Sequence, residues 1–223
     1  MGSVIGAVLP LALGVAISPI PIIATILMLL SPKARVTSVG FLIGWVVGIV
    51  GAVVTFTLLS SILPKGDPGV SKPIQGVIQL VLGALLLVLA AKQWRGRPTG
   101  EATPTLPKWM HAIDRISFLL ALGLGLLLSA LNPKNLIMAA GAGVEIGSES
   151  LGIGSVVIVI LVFTLIAACT VAVPVVAYLI AADRLRGPLD GLRSWLEQEN
   201  AVIMAILLLV IGVSLIGKCI GSF

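Results

Sequence analysis

Six long apolar runs divide this chain, and most of the polar residues lie between them. Each run is long enough for a helix to cross a hydrocarbon core, which needs about 20 residues. Apolar runs of this length are typical of transmembrane helices and longer than most buried segments of soluble domains. The predicted spans are Val4 to Leu30, Ser38 to Leu63, Ile74 to Ala91, Phe118 to Ala142, Ile153 to Ala182 and Ala201 to Ile220.

Two of these runs are interrupted near their middle by proline. The first contains Ser18-Pro19-Ile20-Pro21, and the fourth contains Asn132-Pro133-Lys134-Asn135. A proline inside a helix removes one backbone hydrogen bond and clashes with the preceding turn. Freed backbone groups at membrane depth are tolerated only where they face protein or a water-filled cavity. The pattern therefore predicts two broken helices beside a binding site.

The two breaks occupy matching places in the two halves of the chain. Ala16–Ile23 aligns without gaps on Ala130–Ile137, at an offset of 114 residues. Paired interrupted spans of this kind point to the binding site of a transporter built from repeats. Three spans fall in each half, and an odd number makes the second copy enter the membrane from the opposite side.

We therefore predict an all-α integral membrane protein with six transmembrane helices arranged as two inverted three-helix repeats, in which helices 1 and 4 are broken at proline. The first repeat covers residues 1–93 and the second covers 118–223. Residues 94–117 form a predicted cytoplasmic linker with an interfacial helix. A second interfacial helix is predicted over 185–199, with Asn200 as the N-cap of the last span.

Composition agrees with a membrane protein, since 58% of the residues are hydrophobic, 10% are charged and the mean hydropathy is +1.19. The net charge of +5 does not indicate nucleic-acid binding, because the basic residues flank apolar runs. Ten of the 14 lie on one side of the predicted spans and three on the other, with Lys134 inside a span. By the positive-inside rule, we expect a multi-pass membrane protein with both termini outside and the long middle loop in the cytoplasm. The first run lacks a charged leading region and a clear cleavage site, so we expect it to be a retained span.

Lys134 is the one ionisable residue that the sequence places clearly inside a span, since Glu145 and Glu149 follow the fourth run and are expected to be solvated. A lysine beside freed helix N-termini suits an anionic group. Two roles stay open for it, contact with substrate or hydrogen bonding to the carbonyls of the broken helix. The full set of predicted substrate-binding residues is Ser18, Pro19, Pro21, Thr25, Asn132, Pro133, Lys134 and Asn135, several of which could instead repair the broken helices.

Other residues carry structural predictions. Gly40, Gly44 and Gly48 recur every fourth residue on one face, which favours close helix packing. Pro174 is predicted to bend the long fifth span and is a candidate hinge. His111 is the only histidine, and Cys169 and Cys219 form no metal-binding pattern, so we expect no metal and no cofactor. No acid/base pair, nucleophile triad or phosphate loop can be assembled, which argues against an enzyme.

The chain also resembles a known family. The residues that carry the resemblance are Leu11 to Ile23 with the SPIP break, Ser31-Pro32-Lys33-Ala34-Arg35, Gly44-Trp45, Pro107-Lys108-Trp109-Met110, Leu131 to Leu136 with the NPKN break, and Trp195-Leu196. They are similar to the GAP family of actinobacteria, the glycolipid- and peptidoglycolipid-addressing proteins related to sulfolipid-addressing proteins. That family is placed in the lysine-exporter (LysE) superfamily, whose members are similar six-span proteins of two inverted repeats.

The resemblance implies export of a cell-envelope glycolipid across the inner membrane, in step with lipid-synthesis or export machinery. Our leading hypothesis is a transporter or flippase that moves an anionic cell-envelope (glyco)lipid by alternating access at a midplane site. One alternative is an exporter of a small anionic or zwitterionic metabolite. Another is a non-transporting accessory subunit of a lipid-export complex, docked through the glycine-rich second span. The expected partners are membrane lipids, the lipid-linked substrate, such a complex and a second copy of the chain, but no nucleic acid.

Overall fold

The computed structural model describes residues 1–62, 73–96, 116–149 and 151–220. These residues are helical apart from short turns and caps, and no strand occurs among them. The helices are α1 (Gly2–Ala16), α2 (Pro19–Leu30), α3 (Ala34–Ser61), α4 (Pro73–Arg95), α5 (Phe118–Ala130), α6 (Pro133–Gly147) and α7 (Ile153–Ile220). Residues 97–115 of the predicted linker, with His111 and the interfacial helix, lie outside the described residues, as do Lys65 and Lys72. The predicted start of the linker at residue 94 is wrong, because α4 continues to Arg95.

Four helical segments are long and apolar enough to cross a membrane, namely Ala34–Ser61, Gly76–Arg95, Ile153–Ala182 and Gly187–Cys219. Two pairs of shorter helices are also long and apolar enough to cross a membrane when each pair is taken together. Helices α1 and α2 are bent by 52° at their junction, and α5 and α6 by 61°. The described chain thus has four spans, or up to six if each bent pair is one span. It is a multi-pass membrane protein, and both bends fall at the predicted prolines.

The same order of elements occurs in both halves, since a bent pair is followed each time by two long apolar segments. Across the halves, α3 packs on α5 and α6, while α4 packs on α7. Helix α1 contacts α6 and α7, and α2 contacts α7. Ser18 and Pro19 of the first break and Lys134 and Asn135 of the second are buried, whereas Ile17, Leu131 and Pro133 are exposed.

The glycine face of α3 packs inside the protein. A Cβ added at Gly44 would lie 2.0 Å from the Leu122 carbonyl oxygen of α5, and one at Gly40 would lie 2.8 Å from the Phe118 oxygen. A Cβ at Gly48 would overlap the Ser129 hydroxyl. The three glycines therefore let α3 and α5 approach closely, in agreement with the packing prediction. This face is covered by the chain's own α5 and is not free for a partner.

The last helix departs from two expectations. Within α7, Ala181 has non-helical angles (φ −142°, ψ 53°), whereas the helix continues through Pro174. The break in this stretch thus lies seven residues after the proline. The predicted N-cap at Asn200 is wrong, because α7 is helical on both sides of it. The amphipathic segment of residues 185–199 is helical but runs directly into the last span, with Leu189 and Leu196 buried.

Candidate functional site

The first break leaves carbonyl groups at the end of α1 without their usual donors. Pro19 and Pro21 have no N–H, and the Ser18 N–H bonds to the Ala16 oxygen at 2.9 Å instead of reaching back a full turn. The carbonyl oxygens of Gly14 and Ile17 therefore lose the helical donors they would have had. At membrane depth, such groups need another partner.

Lys134 and Thr170 supply that partner from the other half of the chain. The Lys134 ammonium donates to the Gly14 oxygen and, at 3.3 Å, to the Ile17 oxygen. The Thr170 hydroxyl donates to the Ala16 oxygen at 2.6 Å. A cation at a helix C-terminus is also favoured by the helix dipole. Lys134 thus caps the broken first helix, as one of its two predicted roles required.

The second break is repaired by its own asparagines. The Asn132 side chain accepts a hydrogen bond from the Lys134 backbone N–H at 3.0 Å and caps α6. Asn135 donates from Nδ2 to the Leu128 oxygen at 3.1 Å. Leu128 corresponds to Gly14 at the repeat offset of 114 residues. The equivalent carbonyl groups of Gly14 and Leu128 therefore accept hydrogen bonds from two neighbouring residues, Lys134 and Asn135 respectively.

Both breaks line one cavity of about 410 Å³. Its walls come from the two breaks, from the end of α4 and from the last span. The lining residues are Ser18, Pro19, Ile20, Leu89, Lys92, Gln93, Gly96, Asn132, Pro133, Lys134, Asn200, Met204 and Leu208. Since Lys92, Gln93 and Gly96 lie at the end of α4, the cavity extends from the breaks toward the side that carries most of the basic residues.

The charge lining this cavity is positive. Lys134 is 3% exposed, whereas Lys92 is exposed at the end of α4. None of the described residues that line the cavity is acidic. An ammonium has three N–H donors, and the two carbonyls leave one on Lys134 without a partner among the described residues. Lys134 can therefore cap α1 and contact an anion at the same time.

The cavity includes five of the eight predicted substrate-binding residues: Ser18, Pro19, Asn132, Pro133 and Lys134. The other three, Pro21, Thr25 and Asn135, do not line it. The Thr25 hydroxyl donates to the Pro21 oxygen of its own helix at 2.8 Å. Asn135 is buried, and its Oδ1 has no partner among the described residues. Ser18 faces the cavity but makes no capping hydrogen bond with its side chain.

On the other side of the breaks the bundle is closed. A Cβ at Gly14 would lie 2.6 Å from Ile211 Cδ1 and 3.0 Å from Met138 Sδ. Further out, Lys218 Nζ lies 2.9 Å from Glu145 Oε1 and also donates to the Ala7 oxygen at 2.9 Å. Gln79 donates to the same Glu145 oxygen at 3.1 Å. The expectation that Glu145 is solvated is wrong, because α6 extends to Gly147 and the Glu145 side chain is only 13% exposed.

Sequence reasoning missed several residues of this site. Lys92 was assigned only a topological role, Asn200 a capping role, and Thr170 no role. The sequence could have identified Lys92 and Gln93 as candidate site residues, because they are polar residues at the end of an apolar run. Thr170 carries none, since its partner Ala16 is 154 residues away in the chain.

Comparison with known proteins places the chain in a family. No curated protein and no solved structure matches it. The family described as "Sap, sulfolipid-1-addressing protein" matches residues 8–221, which include both breaks and every element of the cavity. The chain therefore belongs to the sulfolipid-1-addressing protein family.

Proposed function

We propose that this protein is a transporter or flippase that moves an anionic cell-envelope glycolipid across the inner membrane. The observation that carries the proposal is the cavity itself, in which two broken helices meet beside Lys134 and Lys92. The family description names a sulfolipid, whose acidic head group is an anion. Two cations and no acidic residue among the described lining residues suit such a head group.

Alternating access is supported by the one-sided geometry. The cavity extends toward the Lys92 side, while packed side chains and the Glu145–Lys218 ion pair close the opposite half. If each bent pair is one span, the halves have three spans each and are inverted. In that arrangement the two breaks meet near the midplane, and rocking of one repeat against the other exposes the cavity to alternate sides.

Positive-inside counting supports a cytoplasmic location for the Lys92 side and an external location for both termini. The anionic head group then enters from the cytoplasm, where it meets Lys92 before Lys134. We propose no catalytic step. Coupling to an ion gradient, to a lipid gradient or to synthesis and export machinery supplies the driving force.

One alternative is supported by the size of the cavity. A volume of about 410 Å³ is within the range that holds a small molecule, so a small anionic or zwitterionic metabolite also fits. The accessory-subunit alternative has less support, because its expected docking face at Gly40, Gly44 and Gly48 packs on α5.

The test is native mass spectrometry of the protein extracted from its own membrane, with released ligands identified. Lys92→Gln is the informative variant, because Lys92 lines the cavity and is exposed, so its loss leaves the helix caps intact. Arg95→Gln is the matched control, since Arg95 lies in the same last turn of α4 but does not line the cavity.

We expect an anionic glycolipid on the wild type and on Arg95→Gln, and its loss from Lys92→Gln. If a small anion is found on the wild type and on Arg95→Gln but not on Lys92→Gln, the metabolite-exporter alternative is favoured over the lipid hypothesis. If all three proteins carry only the bulk phospholipid mixture in equal amounts, the cavity has no selective ligand and the proposed function is wrong.

A further inference from the structure

A second cavity lies on the far side of the helix pair that walls the first. It has a volume of about 480 Å³ and lies between α4 and the last span. Its lining is apolar and consists of Leu87, Ala90, Ala91, Trp94, Ala205, Ile206 and Leu209. We call it the outer groove, and the cavity at the breaks the inner cavity.

The two cavities occupy the same stretch of both helices. On α4 the outer groove covers residues 87–94 and the inner cavity covers 89–96. At 100° per residue these two sets fall on opposite faces of α4. On the last span, the outer groove is lined from residues 205–209 and the inner cavity from residues 200–208. These two sets also cover the same stretch of helix and fall on opposite faces. The two cavities are therefore separated only by the seam between α4 and the last span.

This seam is tight at one end and lined by small residues at the other. A Cβ at Gly83 would lie 2.9 Å from the Gly212 oxygen, so the two backbones touch in the half beyond the breaks. Toward the Lys92 end, Ala90 and Ala205 lie in the seam, are almost fully buried and line the outer groove. At this end the small side chains of Ala90 and Ala205 separate the outer groove from the inner cavity.

The inner cavity is too small for an acylated lipid. Each chain of a bilayer lipid extends over about half of a 30 Å core, whereas about 410 Å³ suits a head group or drug-sized molecule. A lipid can occupy the inner cavity with its head group only if its chains stay outside the helix pair.

We infer that the outer groove binds a hydrocarbon chain of the transported lipid, while its anionic head group occupies the inner cavity between Lys92 and Lys134. This inference rests on the proposed function and names the route by which the lipid enters it. The lipid crosses the seam between α4 and the last span, with Gly83 and Gly212 as the fixed end. Its charge meets cations on one face of the seam, and its chain meets only apolar side chains on the other.

The experiment uses photolabelling in phosphatidylcholine bilayers. The probe is phosphatidylglycerol with a diazirine on one acyl chain, and the comparison probe is neutral phosphatidylcholine with the same chain. Labelling is mapped by peptide mass spectrometry. Because one lysine contributes about 1 kcal/mol to anionic lipid binding, we expect about fivefold more groove labelling by the anionic probe.

Three variants test the assignment. Lys92→Gln removes one of the two cations of the inner cavity, the one that caps no helix, and should reduce the preference for the anionic probe. Ala91→Trp fills the outer groove from an exposed position and should reduce groove labelling by the anionic probe to the neutral level. Val88→Trp is the matched control, because Val88 is 65% exposed on the same helix and does not line the groove. It should leave the preference unchanged.

Equal labelling of the groove by both probes in all proteins would mean that it holds only bulk lipid, and the inference would be wrong. Thermal stabilisation by sn-glycerol 1-phosphate, the water-soluble head group of the anionic probe, separates that result from failure of the proposed function. If glycerol phosphate stabilises the wild type but not Lys92→Gln, the inner cavity binds anions and the chain lies elsewhere. If it stabilises neither protein and labelling shows no preference, both proposals are overturned.

Discussion

Lys134 has a structural role and also lies in the candidate site. Its ammonium bonds to two carbonyl groups that the first break frees, and it lines the cavity at which both breaks meet. A buried cation without partners would be strongly unfavourable. The carbonyls of α1 therefore make a charge possible at this depth, and the remaining N–H is available to an anion.

Replacement of Lys134 by methionine should lower the free energy of unfolding. The side chain keeps its length but leaves two buried carbonyls unsatisfied, which costs about 1 to 3 kcal/mol. Thermal unfolding in lipid nanodiscs measures the change. Lys92→Met is the control, because Lys92 is exposed and should change stability by less than about 0.5 kcal/mol. Equal stability of both variants would show that Lys134 is not a cap.

Thr170→Val tests the second cap. Valine has the shape of threonine but cannot donate to the Ala16 oxygen, so we expect a loss of about 1 kcal/mol. Thr55→Val is a matched control, since the exposed Thr55 hydroxyl donates within its own helix, to the Gly51 oxygen. Equal melting temperatures for the two variants would argue against a contribution from the Thr170 bond to the repair of α1.

At the scale of the helices, the local chemistry of the sequence predicted where two helices break and which face of α3 packs closely. Proline removes a hydrogen bond wherever it occurs in a helix, so both breaks could be placed at Pro19 and Pro133. Glycines at every fourth position leave one face of α3 without side chains, so close packing of another helix on that face could be expected. The sequence could not identify α5 as the partner of that face, because helix pairing depends on contacts between distant residues.

Gly44→Ala should weaken the contact between α3 and α5. Its new Cβ would lie 2.0 Å from the Leu122 oxygen, so the helices must separate, at a cost of about 1 to 3 kcal/mol or more. Gly51→Ala is the control on the same helix, where nothing lies within 4 Å. Because alanine has the higher helix propensity, this control should be neutral or stabilised by up to about 1 kcal/mol. Similar destabilisation of both variants in nanodiscs would contradict the packing argument.

For the whole molecule, the sequence predicted a polar site at the breaks but not its shape. Lys92 and Asn200 join the cavity only because α4 and the last span fold beside the breaks. Glu145 was misplaced for a similar reason. Its polar surroundings in the sequence suggested a solvated turn, whereas Lys218 and Gln79 come from distant helices and let it remain partly buried.

The Glu145–Lys218 ion pair should help to keep the second side of the bundle closed. It connects α6 to the last span, and Lys218 also bonds to the Ala7 oxygen of α1. Glu145→Gln removes the charge that attracts Lys218, so states open on that side should become more populated. The measurement is labelling of Ile20→Cys, a residue of the cavity wall, by an impermeant maleimide added to either face of oriented vesicles. Cys169 and Cys219 are first replaced by alanine.

With Glu145 intact, we expect labelling mainly from the Lys92 side, because the cavity extends in that direction. Glu145→Gln should raise the rate from the opposite side severalfold. Arg193→Gln is the control, since Arg193 and Glu197 form an ion pair at 2.6 Å within one helix and connect no two spans. A pair of this kind contributes little to stability, so its loss should leave both rates unchanged. If Glu145→Gln also leaves them unchanged, the ion pair does not help to keep this side of the bundle closed.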